Sequence, residues 1–297
     1  MGLFFTIFVG DGNIEYYIKI KMDLIIFDTI KAAILGIMEG FTEFLPISST
    51  GHLILLNEFI SFSEEFNNFF NIFIQLGAIL AVLIFFWDKL WPFSKDKAKN
   101  KETMNVWYKT IIGVLPVLIC GYFLAGAAEK YLFNSWTVAI ALLIGGLIIL
   151  FIENKGYKPK INSVSDLSFK TAFLIGLVQC LSMIPGTSRS AVTIIGALLL
   201  GCSRVVSTEF SFFLSIPTLG AASVYSLLKY WDLLDLNQLP ILIVGFVTAF
   251  IVALIVIKFL INYIQRNNFK VFGYYRIILG IIIIAYFLIK DNLIKLY

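Results

Sequence analysis

Long apolar stretches separated by short polar segments dominate the chain. Six stretches have about the length that a helix needs to cross some 30 Å of hydrocarbon, roughly 20 residues. They cover residues 69–87, 107–128, 136–152, 205–228, 240–264 and 271–289. Many begin or end on Trp or Tyr, which is typical of the membrane–water interface. The pattern therefore predicts six membrane-spanning helices.

Two further apolar stretches, 24–60 and 169–200, differ from the six spans because each is interrupted near its middle. Pro46 interrupts the first stretch and Pro185 the second, and polar residues cluster around both prolines. Proline removes a helical hydrogen bond and clashes with the preceding turn. We therefore expect each stretch to form either a re-entrant helical hairpin or two very short spans.

Basic residues concentrate in three segments between the spans, and such segments favour the cytoplasmic side. The segments contain Lys89, Lys95, Lys97, Lys99 and Lys101, then Lys155, Lys158 and Lys160, and finally Arg266, Lys270 and Arg276. Counting crossings from these segments predicts that the second broken stretch enters from the cytoplasm and returns to it. The first broken stretch is expected to enter from the outer side.

The two broken stretches resemble each other, which indicates an internal repeat. Residues 36–39 correspond to 176–179, residues 46–49 to 185–188, and residues 75–78 to 218–221. Copies that enter the membrane from opposite sides form an inverted-topology repeat, whose broken helices meet near the bilayer midplane and form a site there. We expect repeats over about 24–152 and 169–290.

The composition confines the chain to one class of protein. Hydrophobic residues make up 59% of the chain and charged residues 14%, against about 45–50% and about 25% in soluble domains. This excludes a soluble domain, a disordered chain and a basic nucleic-acid-binding protein. Three cysteines in apolar runs are too few for a disulfide scaffold. We expect one membrane domain over 22–297, with residues 1–21 as an N-terminal extension ahead of a start at Met22.

Glu39 and Glu43 are the first candidates for chemistry, because ionisable residues at membrane depth are costly and commonly functional. Their spacing of four places both carboxylates on one helical face, where they repel each other unless a cation intervenes. Carboxylate oxygens suit a divalent cation such as Mg²⁺ or Ca²⁺. The alternative is a pair of interfacial carboxylates that reach water near a helix end.

Ser48, Ser49 and His52, the only histidine of the chain, follow Pro46. A serine hydroxyl becomes nucleophilic beside a base, and histidine is the usual base. The imidazole itself is a second candidate for attack on phosphorus. The alternative is a serine that caps a helix, together with a buried, hydrogen-bonded histidine.

Residues 185–190 form a predicted tight loop that enters a helix over 191–200. Backbone N–H groups at a helix N-terminus favour an anion, and Gly186 would let the chain approach closely. Arg189 supplies a planar fork that matches phosphate oxygens; alternatively, it pairs with Glu39 or Glu43. A carboxylate pair, a nucleophile or base and a phosphate clamp together indicate phosphoryl transfer.

Two motifs resemble those of a known family. Residues 39–52 and 185–193 are similar to the two signatures of the bacterial undecaprenyl-diphosphatases, and residues 75–78 and 209–212 match secondary patterns of that family. The resemblance runs from about Met22 to the C-terminus. It implies an all-α polytopic membrane protein with six full spans and two re-entrant hairpins in an inverted-topology repeat.

The resemblance also implies an activity, the hydrolysis of undecaprenyl diphosphate to undecaprenyl phosphate and inorganic phosphate, which recycles the lipid carrier for cell-wall synthesis. Overproduction of such proteins is associated with bacitracin resistance. The implied location is the bacterial plasma membrane, with the active site facing outward. The expected partners are the polyprenyl diphosphate lipid and the bilayer but no nucleic acid, and a homodimer is compatible with the sequence.

The family's roles carry over to the matching positions of this chain. Glu39 and Glu43 would bind or position the divalent cation, and His52 and Ser49 are the candidates for nucleophile and base. Arg189 would clamp the diphosphate, with help from Ser188, Thr193, Gly186 and Ser48. The competing interpretation is an inverted-repeat transporter or flippase for an anionic lipid or organic phosphate, which would need no nucleophile.

Overall fold

The computed structural model describes residues 11–156, 158–230 and 238–294. Six helices in these ranges are long and apolar enough to cross a membrane. They are α3 (Glu64–Phe85), α5 (Lys97–Leu132), α6 (Ser135–Asn154), α9 (Arg204–Tyr230), α10 (Leu239–Ile264) and α11 (Lys270–Ile294). The six predicted spans lie on them, and the first runs past α3 into the short helix α4 (Trp87–Leu90). The prediction of an all-α polytopic membrane protein is confirmed.

Both proline-interrupted stretches are broken helices. The first hairpin consists of α1 (Asp11–Thr42) and α2 (Ser49–Asn57). The second consists of α7 (Phe169–Gln179), a 3-10 turn and α8 (Arg189–Leu199). At 1.5 Å per residue, α2 and α8 are about 14 and 17 Å long and therefore too short to cross 30 Å of hydrocarbon. Their length favours re-entrant hairpins over pairs of short spans.

The helix α1 begins before Met22 and continues through it. The predicted division between an extension over 1–21 and the membrane domain therefore coincides with no helix boundary. Residues 1–10 lie outside the described residues. The division itself stays a prediction.

Each hairpin packs its first helix against a span of the other half. A Cβ atom on Gly36 of α1 would overlap the carbonyl of Gly245 in α10. A Cβ atom on Gly176 of α7 would likewise overlap the carbonyl of Gly113 in α5. Small residues of this kind let helix backbones approach closely in membranes. The two halves are therefore interlocked, with equivalent glycines at both crossings.

The short helices α2 and α8 begin in the same way. Ser48 caps α2 with φ 72°, and Ser188 caps α8 with φ 69°. Each side-chain oxygen accepts a hydrogen bond from the backbone N–H three residues later, Gly51 and Ala191 respectively. The sequence comparison paired Ser49 with Ser188, which is wrong by one residue, because the helix caps rather than the prolines set the correspondence.

Arg276 corrects the prediction of a third basic loop. The sequence analysis counted it with Arg266 and Lys270 in an inside loop, although it falls within the predicted span 271–289, and the structure places it within α11 and fully buried. Residues 265–269 connect α10 to α11, so Arg266 and Lys270 alone remain beside that connection. The positive-inside argument for this connection rests on these two residues.

Candidate active site

The predicted site residues lie where the two hairpins break. Glu39 lies near the end of α1, and Glu43 follows its last residue. Ser49 and His52 lie in the first turn of α2, and Arg189 begins α8. Glu39, Glu43 and His52 are all buried. The structure thus brings the predicted polar groups of both hairpins into one interior region.

An ion pair joins the two hairpins. Arg189 donates a hydrogen bond from Nη2 to Glu43 Oε1 at 2.9 Å, and the side chains are only 8% and 6% exposed. Ser49 Oγ donates to the second oxygen, Glu43 Oε2, at 2.7 Å. The sequence analysis gave pairing with Glu39 or Glu43 as the alternative role of Arg189, and the structure shows the pair with Glu43. Glu43 is held by one residue of each hairpin.

Three polar atoms of the site have no hydrogen-bond partner among the described residues. They are the two carboxylate oxygens of Glu39, which is 0% exposed, and Nε of Arg189. Burying a polar group without a hydrogen-bond partner is costly, and protein interiors rarely contain such groups. The arrangement suits a ligand that brings positive charge to Glu39 and negative charge to Arg189.

The carboxylates fit a divalent cation that also has oxygen ligands from elsewhere. No group of three or more His, Cys, Asp or Glu side chains in the described ranges could hold a metal ion alone. Mg²⁺ is commonly held by one or two carboxylates together with substrate phosphates and water. Two free oxygens on Glu39, with Glu43 one turn away, meet that requirement.

His52 is fixed through both ring nitrogens. Nδ1 lies 2.8 Å from the Ser48 carbonyl, and Nε2 lies 2.6 Å from the Tyr275 hydroxyl. A carbonyl only accepts, so Nδ1 carries the hydrogen and the Nε2 lone pair of the neutral ring faces Tyr275. The two rings stack with centroids 5.5 Å apart. Nε2 is therefore the ring atom available for chemistry.

Ser49 and His52 do not hydrogen-bond to each other in the described structure. Ser49 donates to Glu43, while His52 contacts Ser48 and Tyr275. The capping position of Ser48 explains this, since its carbonyl lies one turn before the histidine and binds Nδ1. The sequence missed Tyr275, because an aromatic residue inside an apolar stretch carries no signal of such a contact.

The loop of the second hairpin depends on a close backbone approach. Gly186 has φ 89°, and a Cβ atom there would lie 2.5 Å from the Val138 carbonyl oxygen. Ser188 Oγ lies 3.0 Å from Ser190 Oγ, and Ser190 donates to the Leu45 carbonyl at 2.9 Å. The glycine lets the loop approach the Val138 backbone, its role towards a diphosphate stays a prediction, and Ser190 connects this loop to the first hairpin.

Thr193 contacts the site through other residues. Its fully buried hydroxyl lies 2.6 Å from Ser211 Oγ and donates to the Arg189 carbonyl at 2.8 Å. The Ser211 carbonyl accepts a hydrogen bond from Arg189 Nη1 at 2.9 Å. Thr193 and Ser211 thus hold the backbone and the guanidinium of Arg189 in place through hydrogen bonds. The sequence contained Ser211 only within the 209–212 pattern and gave it no role.

A separate polar cavity of about 510 Å³ lies near the ends of α4, α5 and α9. Lys89 and Glu209 line it and form an ion pair at 2.8 Å. The Phe212 ring packs against the rings of Phe44, 5.1 Å away, and Phe86, and the Arg189 guanidinium lies over Phe44. Glu209 therefore has a structural partner away from the hairpin site.

The fold is that of a multi-pass membrane protein whose polar groups lie on two broken helices, and the chemistry of those groups suits phosphoryl transfer. The chain belongs to the family described as bacitracin resistance protein BacA, whose model matches residues 32–282. The family prediction made from the two motifs is confirmed.

Curated relatives cover most of the chain. It is 49% identical over 274 residues to the undecaprenyl-diphosphatase of Lachnoclostridium phytofermentans, spanning 90% of this chain and 99% of that protein. It is 51% identical over 263 residues to undecaprenyl-diphosphatase 1 of Clostridioides difficile, spanning 86% and 95%. The undecaprenyl-diphosphatase of Acetivibrio thermocellus is 46% identical over 267 residues, spanning 88% and 98%.

Proposed function

We propose that this protein hydrolyses undecaprenyl diphosphate to undecaprenyl phosphate and inorganic phosphate, and so recycles the lipid carrier of cell-wall synthesis. Family membership and near-full-length relatives of that name support the activity. The observation that carries the site is the buried pair of unsatisfied groups, the Glu39 oxygens and Arg189 Nε. A diphosphate with its counter-cation supplies partners of both signs.

Arg189 is the residue that binds the diphosphate. Its Nε has no hydrogen-bond partner in the part of the chain that the structure describes, and its Nη2 can exchange Glu43 for a phosphate oxygen. The N-termini of α2 and α8, at Ser48 and Ser188, add backbone N–H groups that favour an anion. The apolar tail stays among the lipid-facing side chains while the head group enters the polar site.

Ser49 is the favoured nucleophile, because its proton already has an acceptor. Its Oγ–H proton passes to Glu43 Oε2, 2.7 Å away, as Oγ bonds to the terminal phosphorus. The bond from that phosphorus to the bridging oxygen breaks, and undecaprenyl phosphate leaves. Water then hydrolyses the phosphoserine. His52 Nε2 is the competing nucleophile or the base for that water.

Departure of Arg189 from Glu43 prepares the carboxylate for this step. The guanidinium lies 2.9 Å from Glu43 Oε1 and balances its charge. A bound diphosphate attracts the same guanidinium and leaves Glu43 with its full negative charge. Substrate binding and activation of Ser49 are thereby linked through one ion pair.

A divalent cation, Mg²⁺ or Ca²⁺, would be held by Glu39 with help from Glu43. When bound, it neutralises charge on the phosphoryl oxygens. Glu39 meets the requirement because neither of its oxygens has a hydrogen-bond partner among the described residues. The role of Glu39 is to orient the head group relative to Ser49.

The protein is a multi-pass membrane protein, and we place it in the bacterial plasma membrane with its site opening to the outer face. The basic segment over 89–101 and that over 155–160 support this orientation, since positive loops stay inside. The first hairpin then enters from the outer side and carries the carboxylates, Ser49 and His52.

The test is phosphate release from a polyprenyl diphosphate by purified protein in detergent, with and without EDTA. We expect release that requires a divalent cation and that Glu43→Gln lowers by about 100-fold or more. Full hydrolysis by a folded Glu43→Gln protein would overturn the site. Lipid translocation in vesicles without hydrolysis would instead favour the transporter. A transporter needs no nucleophile and therefore does not explain the contact between Ser49 and Glu43.

A further inference from the structure

Arg276 is the one fully buried arginine side chain among the described residues, and it lies in the membrane-spanning helix α11. None of the ion pairs in the described ranges includes it. It donates instead to three backbone carbonyls: Pro46 at 3.4 Å, Gly186 at 3.0 Å and Ala141 at 3.1 Å. A buried guanidinium without a carboxylate is costly, so a functional reason is required.

Two of the three carbonyls, those of Pro46 and Gly186, occupy equivalent positions in the two hairpins, while Ala141 belongs to α6. Pro46 lies two residues before the cap Ser48, and Gly186 lies two residues before the cap Ser188. Those caps fix the starts of the helices that carry Ser49 and Arg189. One rigid guanidinium therefore spans the two loops whose relative position determines where nucleophile and clamp meet.

Gly145 provides the space for this arrangement. A Cβ atom on Gly145 of α6 would overlap Nη2 of Arg276 and lie 2.9 Å from Cζ. The nearest atoms around that position all belong to Arg276. A methyl group at 145 would displace the guanidinium from the loop carbonyls without removing its charge.

We infer that Arg276 is a positioning residue for the hydrolysis: its guanidinium, seated against Gly145, joins the Pro46 and Gly186 carbonyls and thereby holds Ser49 and Arg189 in register. The inference rests on the proposed function and adds a residue to it. The preceding residue, Tyr275, contacts His52 at 2.6 Å, so the same turn of α11 orients the imidazole.

The experiment compares Arg276→Met, Arg276→Lys and Gly145→Ala with the wild-type protein. We expect kcat to fall about 100-fold in Arg276→Met and about 10-fold in Gly145→Ala, with KM within about threefold, because misplacement of reacting groups by about 1 Å has effects of this size. Arg276→Lys should recover about tenfold over Arg276→Met, since an ammonium still donates to carbonyls.

The double variant Gly145→Ala/Arg276→Met separates positioning from general loss of packing. If Gly145 acts through the guanidinium, kcat of the double variant equals that of Arg276→Met alone. Ile283→Ala, a buried truncation two turns along α11, and Gly121→Ala, whose surroundings are open, are the controls. Both should retain kcat within about threefold, with folding checked by gel filtration and thermal melting.

Wild-type kcat in folded Arg276→Met, or multiplicative effects in the double variant, would overturn the inference. If Arg276→Met does not fold, Gly145→Ala decides: a folded, fully active protein overturns it, and a folded protein with reduced kcat supports it. Failure of all three single variants to fold would contradict it by making Arg276 structural. Absence of phosphate release from the wild-type protein would instead refute the proposed function.

Discussion

The Glu43 carboxylate has one oxygen bound to Arg189 of the second hairpin and the other bound to Ser49 of the first. The carboxylate charge is balanced by the guanidinium and by the serine hydroxyl that donates to it. Its two contacts also make it sensitive to anything that competes for the arginine. In the proposed mechanism, the diphosphate draws Arg189 away from Oε1 of Glu43, and Oε2 of the same carboxylate accepts the serine proton.

Ser49→Ala tests this residue-scale mechanism. We expect kcat to fall by about 100-fold or more, because the variant lacks the hydroxyl that attacks phosphorus. Ser63→Ala is the matched control, since Ser63 precedes α3 without a side-chain capping bond. Rapid quenching should trap an acid-stable phosphoenzyme in the wild-type protein. An acid-labile phosphoenzyme that persists in Ser49→Ala would assign the attack to His52.

Tyr275→Phe tests the orientation of His52. The variant loses the hydroxyl 2.6 Å from Nε2 but keeps the stacked ring. We expect about a 10-fold lower kcat with little change in KM, because only the ring orientation changes. The exposed neighbour Tyr274, as Tyr274→Phe, is the control. The idea fails if Tyr275→Phe lowers kcat equally in wild-type and His52→Ala backgrounds.

At the scale of elements, the sequence predicted the helices better than their partners. The six spans and two breaks follow from apolar length and from Pro46 and Pro185. The pairing of α1 with α10 and of α7 with α5 does not follow, because Gly36 and Gly176 show only that a close approach is tolerated. Which backbone approaches is decided by the tertiary fold.

Gly36→Ala and Gly176→Ala test the two crossings. Each added methyl would overlap a backbone carbonyl of the partner helix, which cannot move aside as a flexible side chain can. We expect both variants to lose about 1–3 kcal/mol of stability, seen as lower melting temperatures. Gly121→Ala and Gly126→Ala, with open surroundings on α5, should melt as the wild type does. Equal melting of all four variants would contradict the interlocked arrangement.

Gly186→Ala tests the loop of the second hairpin. Both the positive φ of 89° and the Val138 carbonyl at 2.5 Å oppose a side chain there. We expect at least about a 10-fold loss of kcat as the loop shifts Arg189. Gly156→Ala shares the positive φ, at 66°, but meets no atom within 4 Å. If both variants reduced activity alike, backbone strain rather than close approach would be responsible.

At the scale of the whole molecule, the carboxylates, serines, histidine and Arg189 could be predicted from the sequence because they cluster around two prolines. Tyr275 and Arg276 could not, since their partners lie far away in the chain. The sequence assigned Arg276 to an inside loop because a charge near the end of a span is usually interfacial. Its guanidinium instead finds carbonyls on the distant Pro46, Ala141 and Gly186.

The orientation of the molecule can be tested by cysteine labelling in intact cells. With Cys120, Cys180 and Cys202 replaced by Ala, Phe59→Cys should react with a membrane-impermeant maleimide, because residue 59 follows the first hairpin, which we propose enters from the outer side. Phe93→Cys, which is similarly exposed, should react only after lysis. The opposite labelling pattern would contradict the proposed topology.

The requirement for a divalent cation, the homodimer and the absence of a nucleic-acid partner stay predictions.

The order in which the helices are synthesised gives Arg276 a further consequence. The loops that it joins leave the ribosome with α2 and α8, whereas α11 follows all other described helices. A nascent chain therefore inserts both hairpins before their common anchor exists. On the positioning role proposed for Arg276, full activity then arises as one late event, when the guanidinium of α11 binds the loops of both hairpins.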